Sequence, residues 1–153
     1  MVSEALRQRA LDVASHVPDP ELPMLTVTDL GILRDVAVHA DGTVELSITP
    51  TYSGCPAMEL IAQELRRALT DAGIIQVRIR TVLSPPWTTD WISADGRRKL
   101  AENGIAPPTQ TTPACPHCGS AETEMISAFG STACKALWRC NVCGEPFDHF
   151  KCH

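Results

Sequence analysis

Along the start of the chain Leu6, Ala10, Val13, Ala14 and Val17 recur at helical spacing behind a capping residue at Ser3, and Pro18 blocks continuation. A first helix is therefore predicted over roughly residues 4 to 16. A stiff loop follows, Pro18-Asp19-Pro20-Glu21-Leu22-Pro23, and then two extended stretches flank Asp41-Gly42. Val44, Leu46 and Ile48 alternate with Thr43, Glu45 and Ser47, the signature of a half-buried β-hairpin. Pro56 suits the first turn of a second helix with an apolar stripe of Met58, Ile61, Leu65, Ala68 and Ala72, stopped at Gly73. Ile75, Val77 and Ile79 then alternate with Gln76, Arg78 and Arg80 as a third strand. The order αββαβ defines a small α/β sandwich.

Pro85-Pro86-Trp87 ends that strand, and Trp91 with Leu100 is expected to lay a short helical segment back over the sheet before Asn103-Gly104. Residues 106–114, Ala-Pro-Pro-Thr-Gln-Thr-Thr-Pro-Ala, then read as a semi-rigid linker. The expected organisation is an α/β domain over 1–105, a linker over 106–114 and a small domain over 115–153. That last piece is too short for a self-sufficient core, so a bound metal is expected to supply the missing stability.

Composition narrows the picture. With 153 residues, 44% of them hydrophobic, the chain has the make-up of a folded protein of one ordinary domain, or of one domain with an appendage. Its net charge of -5 and scattered basic residues argue against a general nucleic-acid binder, which needs clustered Lys and Arg. Apolar runs are short and broken by charge, so neither a signal peptide nor a membrane span is expected. Of seven cysteines, four fall in two Cys-x-x-Cys pairs, which is metal spacing rather than a disulfide framework, and a reducing cytoplasm fits.

Each pair is followed by glycine: Cys115-Pro116-His117-Cys118-Gly119 and Cys140-Asn141-Val142-Cys143-Gly144. Each can form a tight knuckle whose amides point at sulfur, and two knuckles complete a tetrahedral S4 set for one ion, zinc. Four thiolates fill the shell and leave no open position, so the ion is expected to be structural. The segment between the pairs leaves room for Thr123 to Ser127 and Leu137 to Arg139 to pair as ribbon strands. Paired knuckles of this kind also resemble rubredoxin sites, where iron carries one electron, although the rubredoxin loop aromatics are not matched.

Cys55 stands apart. It ends the loop Thr49-Pro50-Thr51-Tyr52-Ser53-Gly54 at the start of the second helix, where the helix dipole favours the thiolate. The plainer reading of Cys55 is a small buried hydrophobe filling a gap. Cys134 and Cys152 could touch a cluster or a partner, but packing or a terminal position is the default, and His16, His39, His117 and His149 are isolated by spacing. Asp19 and Glu21 offer carboxylates, but the flanking prolines make a turn the default. Position 58 is Met and position 61 is Ile, which excludes a redox Cys-x-x-Cys pair and a thiol-phosphatase loop at Cys55.

The run Asp19-Pro20-Glu21, the turn Asp29-Leu30-Gly31-Ile32 and the segment Thr49 to Pro56 together resemble the small α/β domain of iron-sulfur assembly proteins related to SufT. Pro85-Pro86-Trp87-Thr88-Thr89-Asp90-Trp91-Ile92, the linker, Phe129-Gly130-Ser131-Thr132-Ala133-Cys134-Lys135 and Pro146-Phe147-Asp148-His149-Phe150-Lys151-Cys152 extend the resemblance. Over essentially the whole chain it is similar to the PaaD (PaaJ) family, the D component of phenylacetyl-CoA epoxidase systems.

The resemblance implies an accessory protein of aerobic phenylacetate breakdown that matures or delivers an iron-sulfur centre for the oxygenase and reductase components of the epoxidase. Cys55 would be the key thiol, with Asp19 and Glu21 lining the same region, a transient iron-sulfur cluster as cargo and one structural zinc in the ribbon. The residues agree that the chain is not itself an oxidising enzyme, for it carries no di-iron Glu-x-x-His motif, no Gly-rich dinucleotide fingerprint and no plant-type ferredoxin spacing. Competing expectations are a ribbon that docks oxygenase subunits together and a rubredoxin-like electron carrier.

Overall fold

Helix α1 runs over Val2–Ala14, two residues earlier than the periodicity indicated, so Ser3 lies inside it rather than capping it. Its end tightens into i→i−3 bonds, His16 N–H to Val13 O and Val17 N–H to Ala14 O, just before Pro18. The computed structural model describes residues 2–51, 57–130, 132 and 134–151. It divides into two compact units, Met1–Ser93 and Ala94–His153.

In the first unit the hairpin forms as the alternation dictates, β1 over Leu33–Val38 and β2 over Val44–Ile48. Asp41 Oδ1 accepts from Thr43 N–H at 2.9 Å, and Gly42 takes φ +89°, which a Cβ would oppose. Val44, Leu46 and Ile48 are buried, with Val36 of β1 opposite Leu46. Helix α2 covers Ala57–Asp71 and β3 covers Val77–Thr81, which pairs parallel with β2 and gives the sheet order β1-β2-β3. The helix thus serves as the crossover that a parallel pair requires, and both α1 and α2 contact the sheet and each other.

The expected stripe of α2 and the start of the third strand are corrected. The buried face of α2 is Ala57, Ile61, Leu65 and Leu69, so Ala57 takes the place assigned to Met58, and Leu69 that assigned to Ala68 and Ala72. Ile75 is 79% exposed and Ile74 is buried instead. The cause is a Schellman stop: Gly73 N–H donates to Thr70 O and Ile74 N–H to Leu69 O, which folds Ile74 back onto the helix and leaves Ile75 ahead of the first paired residue, Val77.

The second unit starts with α3, Ala94–Glu102, and continues with β4 over Ile105–Ala106, β5 over Thr123–Ser127, β6 over Lys135–Cys140 and β7 over Pro146–Phe150. These strands form one sheet in the order β4-β7-β6-β5. The helix expected to close the first domain therefore belongs here, because Ile105 and Ala106 pair in parallel with Asp148 and His149. The segment expected as a linker is likewise held inside this unit: Arg97 donates to Pro108 O at 3.1 Å, and Thr123 Oγ1 donates to Pro113 O at 2.7 Å. Among the described residues no helix is long and apolar enough to cross a membrane.

Candidate metal centre and thiol site

Both knuckles are built by the same bonds. Cys115 N–H donates to Ser120 O and Gly119 N–H to Cys115 O; Cys140 N–H donates to Glu145 O and Gly144 N–H to Cys140 O. Gly119 and Gly144 each sit at φ +80°, the left-handed conformation that lets the chain double back within five residues. The first cysteine of each pair is buried and the second exposed. A cluster of Ala106, Cys115, Cys140 and Phe147, with Trp138 packed against it, fixes the inner pair.

The four sulfurs converge as the spacing predicts, all within 4.8 Å of one another. Cys115 and Cys143 Sγ lie 3.8 Å apart, and Cys118 and Cys140 Sγ lie 3.5 Å apart. A tetrahedral ion with Zn–S bonds of about 2.3 Å needs sulfur–sulfur edges of about 3.8 Å, close to the two shortest edges of this set, so the four thiols suit a tetrahedral metal ion. Backbone N–H groups support the thiolates: His117 N–H donates to Cys115 Sγ, and Val142 and Cys143 N–H donate to Cys140 Sγ, each at 3.4 Å.

Thiols this close compete for one negative charge. The N–H of Cys143, with that of Val142, holds the Cys140 thiol down at about 6 against the cost of desolvation. Cys143 feels a lowering N–H from Glu145, yet desolvation and the neighbouring sulfurs push it up to about 12. A divalent cation among the sulfurs removes that competition, which is the chemistry expected of this donor set.

Cys55 lies outside the described residues, as does Cys152. The structure does describe how the chain enters the Cys55 loop. Thr49, just after β2, is 1% exposed; its N–H donates to Ile32 O at 2.9 Å, and its Oγ1 has no hydrogen-bond partner among the described residues. The turn before Ile32 is anchored by Asp29, whose Oδ2 accepts from Thr26 N–H at 3.0 Å while its own N–H donates to Thr26 Oγ1 at 3.1 Å.

Asp19 is 6% exposed, and its Oδ1 accepts from Glu21 and Leu22 N–H, both at 2.8 Å, so this carboxylate organises its own turn. Burial nevertheless raises its pKa above the ordinary carboxylate value. Glu21 is half-buried beside it. The sequence pointed to Asp19 and Glu21 as site residues, whereas Asp29 and Thr49, which are buried like Asp19, entered only as parts of the segments that carry the family resemblance. Their signal was weak, a polar residue in a turn and a threonine ending an alternating strand.

An α/β unit of the iron-sulfur assembly type and a tetrathiolate β-ribbon thus share one chain. Residues 7–79 match the model of iron-sulfur cluster assembly proteins, and residues 103–151 match the PaaD zinc beta ribbon domain. The chain belongs to the PaaD family. It is 49% identical, over 90% of its length and 88% of the relative's, to an Escherichia coli K12 protein named as the D component of 1,2-phenylacetyl-CoA epoxidase. It is also 33% identical to the Fe-S protein maturation auxiliary factor YitW of Bacillus subtilis, over 60% of this chain and 90% of that one. Among solved structures, a domain of unknown function, DUF59, from Bacillus anthracis superposes with a TM-score of 0.60 at 25% identity, covering 65% of this chain and 95% of that one.

Proposed function

We propose that this chain is an accessory component of the phenylacetyl-CoA 1,2-epoxidase system in aerobic phenylacetate degradation, one that matures or delivers an iron-sulfur centre for the reductase component and so for the oxygenase it serves. The observation that carries this reading is the union, in one chain, of an iron-sulfur assembly domain with the zinc ribbon of the PaaD family. The protein works in the cytoplasm and turns over no substrate alone.

In this reading Cys115, Cys118, Cys140 and Cys143 hold one zinc that stabilises the ribbon, and their closed shell leaves it no part in the chemistry. Cys55 supplies the thiolate that touches the iron-sulfur cargo, with Asp19 and Glu21 in the same region. The buried Asp19 carboxylate holds the turn that carries Glu21, and Thr49 leads from the sheet into the Cys55 loop.

The test is Cys55→Ser in cells growing on phenylacetate. Iron and acid-labile sulfide in the purified reductase should fall and growth should slow, while the isolated variant melts as wild type and keeps its zinc. A fully loaded reductase beside a folded variant sinks the thiol mechanism. Substrate-dependent NADPH consumption by the purified chain alone, with phenylacetyl-CoA and oxygen, sinks the accessory reading.

A further inference from the structure

Strand β5 is the outer strand of the ribbon sheet, and among the described residues no strand pairs with its far side. Met125 (55% exposed) and Ile126 (53%) lie on it, Phe129 (73%) lies just beyond one end, and Val142 (61%) lies at the other. Asn141 N–H donates to Glu122 O at 2.8 Å and so brings the second knuckle alongside the start of β5. Open main-chain groups along such an edge are recognised by another extended strand, and large exposed apolar side chains mark where it lies.

Charge is distributed unevenly along this edge. Exposed Glu122 and Glu145 stand at the knuckle end, while Glu124 is neutralised by Arg139 at 2.6 Å. At the hairpin end Lys151 Nζ donates to Ala128 O at 2.7 Å and sits 4.7 Å over the Phe129 ring. An antiparallel copy of the same strand, related by a two-fold axis at Met125, sets Thr123 against Ser127, Glu124 against Ile126 and Glu122 against Ala128. That register brings Glu122 of each copy to Lys151 of the other, and Val142 toward Phe129. A parallel arrangement would set carboxylate against carboxylate.

We propose that two copies of this chain pair through β5 in this antiparallel register, joining their ribbon sheets into one. Both halves of the complementarity lie in this chain, and an isologous contact uses each edge once and closes. The irregularity between Met125 and Ser127 lies beside the two-fold axis and limits how many ladder bonds the two edges make, so the apolar and charged side chains carry much of the contact.

Sedimentation equilibrium of the zinc-loaded full chain tests this. The expected species is a dimer of the 16.6 kDa chain. Met125→Lys sets two ammonium groups at the axis and should weaken the dimer by about tenfold or more, with folding unchanged because the side chain is more than half exposed. Glu122→Lys should weaken it, and Glu122→Lys combined with Lys151→Glu should restore it. Amide exchange over residues 123–127 should slow with concentration in wild type and not in Met125→Lys. A monomer at all concentrations overturns the proposal, as does a dimer indifferent to Met125→Lys. Protection of β5 that appears only when another epoxidase component is added assigns the edge to a different strand and equally overturns it.

Discussion

Gly31 and Trp91 are in direct backbone contact: a Cβ on Gly31 would lie 2.8 Å from both the Cβ and the carbonyl oxygen of Trp91. The segment from Trp87 to Ser93 is strapped onto the turn at residues 29–31. Trp87 Nε1 donates to Leu30 O at 2.7 Å, Ser93 N–H donates to Asp29 O at 2.9 Å, and the Arg34 guanidinium lies 3.8 Å over the Trp91 ring. Ile32, the next residue, accepts from Thr49 N–H, so the strap supports the entrance to the Cys55 loop.

Gly31→Ala should therefore destabilise the first unit by about 2–4 kcal/mol, combining the strain of φ +76° with an overlap against main chain that cannot move aside. Gly42→Ala has a similar φ of +89° but meets only the flexible end of Gln76, at 3.4 Å, so it should cost about 1 kcal/mol. Thermal melts of the two variants check the difference. Equal costs would show that the strap contributes nothing to stability.

Thr49→Val should stabilise the first unit by about 1 kcal/mol, since it removes a buried hydroxyl that has no partner among the described residues, at almost constant shape. Thr26→Val should do the opposite by a similar amount, because Thr26 Oγ1 accepts from Asp29 N–H. Denaturant titrations of both variants give the two signs.

Asp19→Asn separates charge from hydrogen bonding. An amide oxygen can keep the bonds from Glu21 and Leu22 without burying a charge. Because burial raises the folded-state pKa, the folded chain binds the proton more readily than the unfolded one, and wild-type stability falls as pH rises through that raised value. The variant should be at least as stable as wild type at pH 7 and lose that advantage as pH falls toward the unfolded value of 3.8. Melts of the first unit across this range decide it, and an Asn variant markedly less stable at neutral pH would show that the charge itself is needed.

Removing the metal should melt the ribbon and spare the α/β unit. Cys118→Ser or Cys140→Ser breaks the S4 set, and structural zinc contributes roughly 10–16 kcal/mol of apparent binding free energy in small fingers. The wild-type protein should carry one zinc per chain and be colourless. Each variant should lose the ion and the second unit's transition while keeping the first. A red protein with stoichiometric iron would replace the zinc assignment with an electron-transfer one.

What depends on near neighbours was legible in the sequence. Alternation around Asp41-Gly42 set the hairpin, the 3.6-residue stripe set α2, and two Cys-x-x-Cys-Gly runs set the knuckles, because each is a local periodicity or a local turn. It did not determine the face of α2 to within a residue, for the turn at Gly73 and the partner of Ile74 decide whether Leu69 or Ala72 points inward. That Ile105 and Ala106 join the ribbon follows from the folded chain alone, since a two-residue strand has no pattern of its own and exists because β7 offers it an edge. The same holds for the approach of Asp29 and Thr49, which lie on separate segments brought together by the bond between Thr49 and Ile32. Local order is written in spacing, whereas contacts between distant segments follow from which buried surfaces and unpaired main-chain groups find each other when the chain closes.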